Sequence, residues 1–186
     1  MAVGLALGAL SLWYAPRELL DWQAASAWSQ PWRLWTAAGV HLSPLHLQAN
    51  LLGCAVVGMF GVMAGVPRRA AWAWLAAWPL THAALALNTQ LLHYAGLSGV
   101  LHAGVAVAAL DLAWRRDSRQ RAIGVAVLAG LAVKLVLERP WLGPAQAVPG
   151  WDMPIVPLAH LTGAVAGMLC GAAVQAIAGR DVAGLG

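Results

Sequence analysis

Charge is scarce in this chain. Aspartate, glutamate, lysine and arginine make up 10% of its 186 residues against 61% hydrophobic residues, too little polar surface for an ordinary soluble domain. A lipid bilayer is the expected solvent. Lysine occurs once, at Lys134, with no matching serine on its segment, which removes hydrolytic chemistry of the Ser–Lys type. Only two cysteines are present, Cys54 and Cys170, both inside apolar runs, so a disulfide framework is excluded and both are expected to behave as small hydrophobes. Linkers, low-complexity stretches and aromatic-basic modules are missing, so nucleic acid is not an expected partner despite a net charge of +4. The apolar run from Met1 to Ala15 lacks a basic start and an A-x-A cleavage site before Pro16. It reads as a retained first span rather than a removed signal peptide.

What is there in abundance is apolar sequence of membrane length. A helix needs ~20 residues to cross ~30 Å of hydrocarbon, and backbone satisfaction in lipid leaves helices or a closed barrel. The Ala/Leu/Gly-rich runs favour helices. Spans are expected at about 1–15, 44–66, 70–92, 97–114, 122–138 and 154–178. His82 and Asn88 interrupt the third, and Lys134 with Glu138 close the fifth. Between the first two spans, Trp22, Trp28, Trp32 and Trp35 are expected at headgroup level, where amphipathic indoles are favoured.

The basic residues orient this arrangement. With the N-terminus inside, Arg68, Arg69, Arg115, Arg116, Arg119, Arg121 and Arg180 are cytoplasmic, and only Arg17, Arg33 and Arg139 lie outside. Both termini are then cytoplasmic. The second, fourth and sixth spans all run inward, so polar residues early in each share one depth.

Those residues are of a kind that does chemistry. Ser43-Pro44 is a helix start, which puts His46 near the outer end of the second span with Asn50 on the same face at i+4. Ser98 opens the fourth span, and His160 lies ~9 Å into the sixth at ~1.5 Å per residue. A serine in a membrane helix often bonds its own i−4 carbonyl, and a lone histidine often pairs with a neighbouring helix. Coincidence of depth across three helices favours function, because ionisable groups at membrane depth are costly. His160 can take the proton of Ser98, and Gly99, Gly163 and Gly167 permit close helix approach. His46, Asn50 and the Ser98 N–H are candidate donors to an oxyanion. No acidic third member is expected: Asp111 lies ~20 Å further along the helix, and Asp152 reads as a loop charge. The expected machine is a dyad.

These motifs in order, Pro31-Trp32-Arg33, His41, His46-Leu47-Gln48-Ala49-Asn50, Gly96-Leu97-Ser98-Gly99 and Ala159-His160-Leu161-Thr162-Gly163-Ala164-Val165-Ala166-Gly167, resemble the rhomboid family of intramembrane serine proteases. The resemblance covers most of the chain. It implies a single integral membrane domain over 1–186, an all-α bundle of six transmembrane helices, Ser98 as nucleophile, His160 as base, and His46 with Asn50 in the oxyanion hole. It gives His41 a role in structural support or water handling, places Gly96 in support, and implies no cofactor and no metal. It also implies a bacterial inner membrane setting with the site opening to the outer, periplasmic side. The aromatic residue that rhomboids commonly carry four positions after the serine is here His102, expected to stack on His160. The run through His102 is similar to the rhombosortase branch, which is associated with substrates bearing a C-terminal Gly-Gly motif, a hydrophobic helix and a basic tail. Partners are then transmembrane proteins with such an anchor.

Other readings compete. A general rhomboid protease of other specificity and an inactive rhomboid-like escort share the motifs. A membrane metal carrier could use His41, His46, His82, His93, His102 and His160, but His82 is expected half a membrane below the rest, and no carboxylate is expected to join them. A soluble α/β-hydrolase is excluded, since Val100 replaces the last glycine of a G-x-S-x-G elbow and no strand precedes Ser98.

Overall fold

The computed structural model describes residues 1–183, with side chains as far as 178. Arg180, counted among the basic residues of the cytoplasmic side, has its side chain outside the described part. The helices are α1 (Ala2–Ser11), α2 (Arg17–Leu20), α3 (Arg33–Thr36), α4 (Pro44–Met63), α5 (Arg68–Ala83), α6 (Ser98–Ala113), α7 (Ser118–Glu138) and α8 (Pro157–Ala183). A two-residue pairing of β1 (Trp22–Gln23) with β2 (His93–Tyr94), antiparallel, ties the first loop to the segment before α6.

Two helix starts follow local chemistry. Ser43 Oγ accepts from the His46 N–H at 3.1 Å with Pro44 in the first turn, and Asp117 accepts from the Gln120 N–H at 2.8 Å at the start of α7. The long helices fall where the spans are expected, but among the described residues α4, α7 and α8 alone are long and apolar enough to cross a bilayer by themselves. α1, α5 and α6 have 10, 16 and 16 residues. For α6 the physical reason is position. It is buried on nearly every face, from Val100 through Leu112, so it is apolar all round as a central core helix.

Several expectations need correction. The third span does not reach residue 92: α5 ends at Ala83, a 3-10 turn covers Ala84–Leu87, and Asn88 Oδ1 then accepts from the N–H groups of Gln90 and Leu91. Trp22 is not an interfacial indole; it is fully buried in a second apolar cluster with Ala27, Leu85 and Tyr94. Trp28, Trp32 and Trp35 do remain exposed. That loop is organised from within by buried Arg33, which pairs with Asp21 at 3.0 Å and donates to the carbonyls of Asp21 and Glu18 at 2.7 and 2.9 Å.

The α6–α8 contact positions the site. A Cβ on Gly163 would run into the carbonyl of Gly99, and one on Gly167 into that of Ala103. One on Gly99 would lie 2.7 Å from the Ala159 carbonyl oxygen. Backbone therefore meets backbone, the close approach expected of a small-xxx-small pattern. On the other flank of α6, Gly104 lies under the Trp74 ring, whose Nε1–H donates to the Val100 carbonyl at 2.7 Å.

Candidate active site

Ser98 is the first residue of α6, delivered by a glycine turn that only glycine fits. Gly96 has φ +125, and a Cβ there would lie 2.5 Å from His46 Nε2. Tyr94 braces the turn, its hydroxyl donating to the Gly96 carbonyl at 3.0 Å and accepting from the Gly99 N–H at 3.4 Å. Burial raises the Tyr94 pKa, which keeps the phenol protonated for that donation. Being in the first turn, the Ser98 N–H has no partner within its helix.

The close α6–α8 packing brings His160 Nε2 to 2.9 Å from Ser98 Oγ. On the opposite edge of the ring, Nδ1 lies 2.8 Å from Glu138 Oε2 at the last residue of α7. An ionised carboxylate only accepts, so Nδ1 carries the hydrogen and Nε2 presents a lone pair to the serine hydroxyl. Lys134, one turn earlier on α7, pairs with the other carboxylate oxygen. His102 stacks on His160 with centroids 4.2 Å apart and planes 13° apart, and its Nδ1 contacts the Ser98 carbonyl at 2.6 Å.

Glu138 is the residue that the sequence reading missed. The sequence leads to a dyad with no carboxylate beside the histidines, whereas Glu138 Oε2 lies 2.8 Å from His160 Nδ1. The signal existed: α7 runs opposite to α6, so the end of the fifth span returns to the depth of Ser98, and Glu138 sits at that end. Asp111 is indeed remote, bound by Arg115 and Gln175. Asp152 has a capping task, accepting from the Ser43 hydroxyl at 2.7 Å.

His46 and Asn50 face the same cleft from α4. The Leu42 N–H donates to His46 Nδ1 at 3.3 Å, which leaves the hydrogen on Nε2. Among the described residues Asn50 Nδ2 is buried with no partner, an N–H donor still to be satisfied. His41 packs against His46 with centroids 4.8 Å apart while its Nδ1 contacts the Gly39 carbonyl at 3.1 Å. Burial lowers the His41 pKa, favouring the neutral ring. The cleft, about 680 Å³, lies between α4, α6, α7 and α8, with Trp151 and Met153 of the preceding loop along its edge.

His82 is not half a membrane below these residues. Because α5 stops at Ala83, His82 is in its last turn, packed on Tyr94, with Nδ1 2.6 Å from the Leu34 carbonyl. His93 is exposed and pairs with Asp21. His102, Glu138 and His160 do hold potential ligand atoms within 4.8 Å of one another. Their geometry fits a metal poorly: nearly parallel stacked imidazoles direct their in-plane lone pairs side by side instead of towards a common ion, and both nitrogens of His160 already have partners.

No curated protein matches the chain. The family model of the Rhomboid domain matches residues 28–176, a stretch that contains the glycine turn, both halves of the α6–α8 contact and the α4 donors. With most of its length covered, the chain belongs to the rhomboid family, whose members are generally intramembrane serine proteases.

Proposed function

We propose that this protein is an intramembrane serine endopeptidase in which Ser98 is the nucleophile, His160 the general base and Glu138 the group that orients His160. The observation that carries this reading is the imidazole shared between two partners, Nε2 to the Ser98 hydroxyl at 2.9 Å and Nδ1 to the Glu138 carboxylate at 2.8 Å. Such a bridge fixes the tautomer that can accept a proton and stabilises the imidazolium that forms.

The steps follow from those atoms. Ser98 Oγ bonds to the scissile carbonyl carbon as its proton passes to His160 Nε2. The carbonyl oxygen becomes an oxyanion, and the donors placed for it are His46 Nε2–H, Asn50 Nδ2–H and the Ser98 N–H. The C–N bond breaks as His160 returns the proton to the leaving amine, and water then hydrolyses the acyl-enzyme by the same route. His41, Gly96, Gly99, Gly163 and Gly167 act through position: the first packs behind His46, and the glycines permit the close approaches on which the distances depend.

The setting and substrate complete the proposal. Six spans in a bacterial inner membrane, termini in the cytoplasm and the cleft towards the outer side accord with the arginine distribution. The substrate is a membrane-anchored protein cut near the outer end of its transmembrane helix, as by a rhombosortase acting on a Gly-Gly, helix and basic-tail anchor. Glycines destabilise a helix by ~1 kcal/mol each relative to alanine, which eases the unwinding that a scissile bond needs before it can enter the site. Purified protein, Ser98→Ala and His160→Ala should be assayed on a Gly-Gly-anchored reporter and on a generic rhomboid substrate. Cleavage of the first reporter alone, lost in both variants, supports the rhombosortase reading. Equal cleavage of both would instead make this a rhomboid protease of other specificity.

A further inference from the structure

At the end of the bundle opposite Ser98, an aspartate is buried in a network that leaves two arginines over. Asp111, 3% exposed, accepts from Arg115 Nε and Nη2 at 3.1 and 2.7 Å and from Gln175 Nε2 at 2.7 Å. Arg115 also donates to the carbonyls of Ala64 and Gly65 at 2.8 and 3.0 Å and to Gln120 at 3.2 Å. All five of its N–H groups are thereby engaged. It is a staple between α6 and the α4–α5 turn, and it neutralises Asp111 in place.

Arg69 and Arg116 stand differently. Arg69 approaches Asp111 only to 3.6 Å, beyond good hydrogen-bond length, and its side chain is 49% exposed. Arg116 makes no ion pair or side-chain hydrogen bond among the described residues. Both line a polar pocket of about 430 Å³ beside Trp114, which is exposed at the end of α6. Gly65 and Pro67 form one wall of this pocket and also belong to a second cavity, of about 320 Å³, lined by Val57, Gly61, Trp74 and Val107. That second cavity is an apolar crevice running along α4, α5 and α6. A cationic pocket and an apolar crevice thus share a rim at the level where the apolar helices end.

We propose that this rim binds one anionic phospholipid, its phosphate on Arg69 and Arg116 and an acyl chain in the crevice beside Gly61. The charge left after Asp111 and Arg115 cancel matches a phosphate headgroup, and basic pockets at helix ends are the places where such headgroups settle. A free phosphate would use the arginines but not the crevice. The two cavities together favour the lipid.

Native mass spectrometry of the full chain in detergent tests this, with phosphatidylglycerol, phosphatidylcholine and inorganic phosphate as separate probes. The expected result is retention of phosphatidylglycerol at least about fivefold above phosphatidylcholine, a preference that Arg69→Gln/Arg116→Gln abolishes and Arg119→Gln/Arg121→Gln keeps. Gly61→Leu, at a position where an added Cβ meets nothing within 4 Å, should lower phosphatidylglycerol retention without disturbing the fold. An unchanged preference in the Arg69/Arg116 variant overturns the proposal. So does inorganic phosphate competing the lipid away, or a Gly61→Leu protein that retains it fully. Thermal unfolding of each variant without added lipid shows whether a loss reflects binding or folding.

Discussion

Glu138 Oε2 and His160 Nδ1 are 2.8 Å apart, so the last residue of α7 holds the imidazole on the edge opposite the one that meets Ser98. The two helices contributing this pair differ in how they are held. α8 is locked to α6 by backbone contact at Gly163 and Gly167, whereas most of α7 is exposed.

If the carboxylate orients the ring, Glu138→Ala should lower kcat by ~10²-fold or more with KM little changed, since loss of an orienting acid disturbs the chemical step more than binding. Lys134→Met should matter far less. Lys134 is about half exposed in its i,i+4 pair with Glu138, and such helix pairs contribute ~0.3–0.5 kcal/mol, about a twofold effect. Steady-state cleavage of an anchored reporter by both variants checks the contrast. Equal losses would mean that the lysine and glutamate act only as a structural pair.

The stacking of His102 on His160 carries its own expectation. Aromatic pairs contribute ~0.5–1.5 kcal/mol beyond burial, so His102→Ala should lower kcat by up to about tenfold. His102→Phe keeps a flat face and should stay within about threefold of the parent. A His102→Phe protein as impaired as His102→Ala would move the importance of His102 from stacking to its Nδ1 contact with the Ser98 carbonyl.

Asn50 offers a buried N–H with no partner among the described residues, and a donor held for a transition state is the role proposed for it. Removing one oxyanion donor typically lowers kcat by ~10²–10³-fold. Asn50→Ala should do so while KM and thermal stability hold, because no existing hydrogen bond of that nitrogen is broken. A large fall in unfolding temperature with modest loss of kcat would make Asn50 a packing residue.

Close helix approach sets the distance on which the chemistry depends. Gly163→Ala forces a methyl group against the Gly99 carbonyl, and overpacking of this kind destabilises by ~1–3 kcal/mol. It should also lengthen the Ser98–His160 contact, so activity falls with stability. Gly4→Ala, where an added Cβ meets nothing, should leave both unchanged. Thermal unfolding and reporter cleavage measured together decide it.

Much of the site could be read from the chain because its signals are local or periodic. Ser43-Pro44 announces a helix start, and Gly163 with Gly167 announces a tight face. Ser98 and His160 share a depth by parity of spans. What escapes depends on where α5 ends and on what the end of α7 touches. Leu85 and Leu87 extend the hydrophobic pattern of α5 past Ala83, so the pattern alone sets His82 too deep. Glu138, beside Lys134, resembles an ordinary helix-end ion pair until the fold shows that one of its oxygens reaches α8. Trp22 was misplaced for a related reason: its indole is buried by the β1–β2 pairing, a contact between residues about seventy positions apart.

Activation of Ser98 by His160 can be read from covalent labelling of the purified protein by a fluorophosphonate, with the modified residue mapped by mass spectrometry. The expected result is a label on Ser98 that disappears in Ser98→Ala and forms at least about a hundredfold more slowly in His160→Ala. Labelling of Ser98 at an unchanged rate in His160→Ala, or a label carried by a different serine, would contradict it.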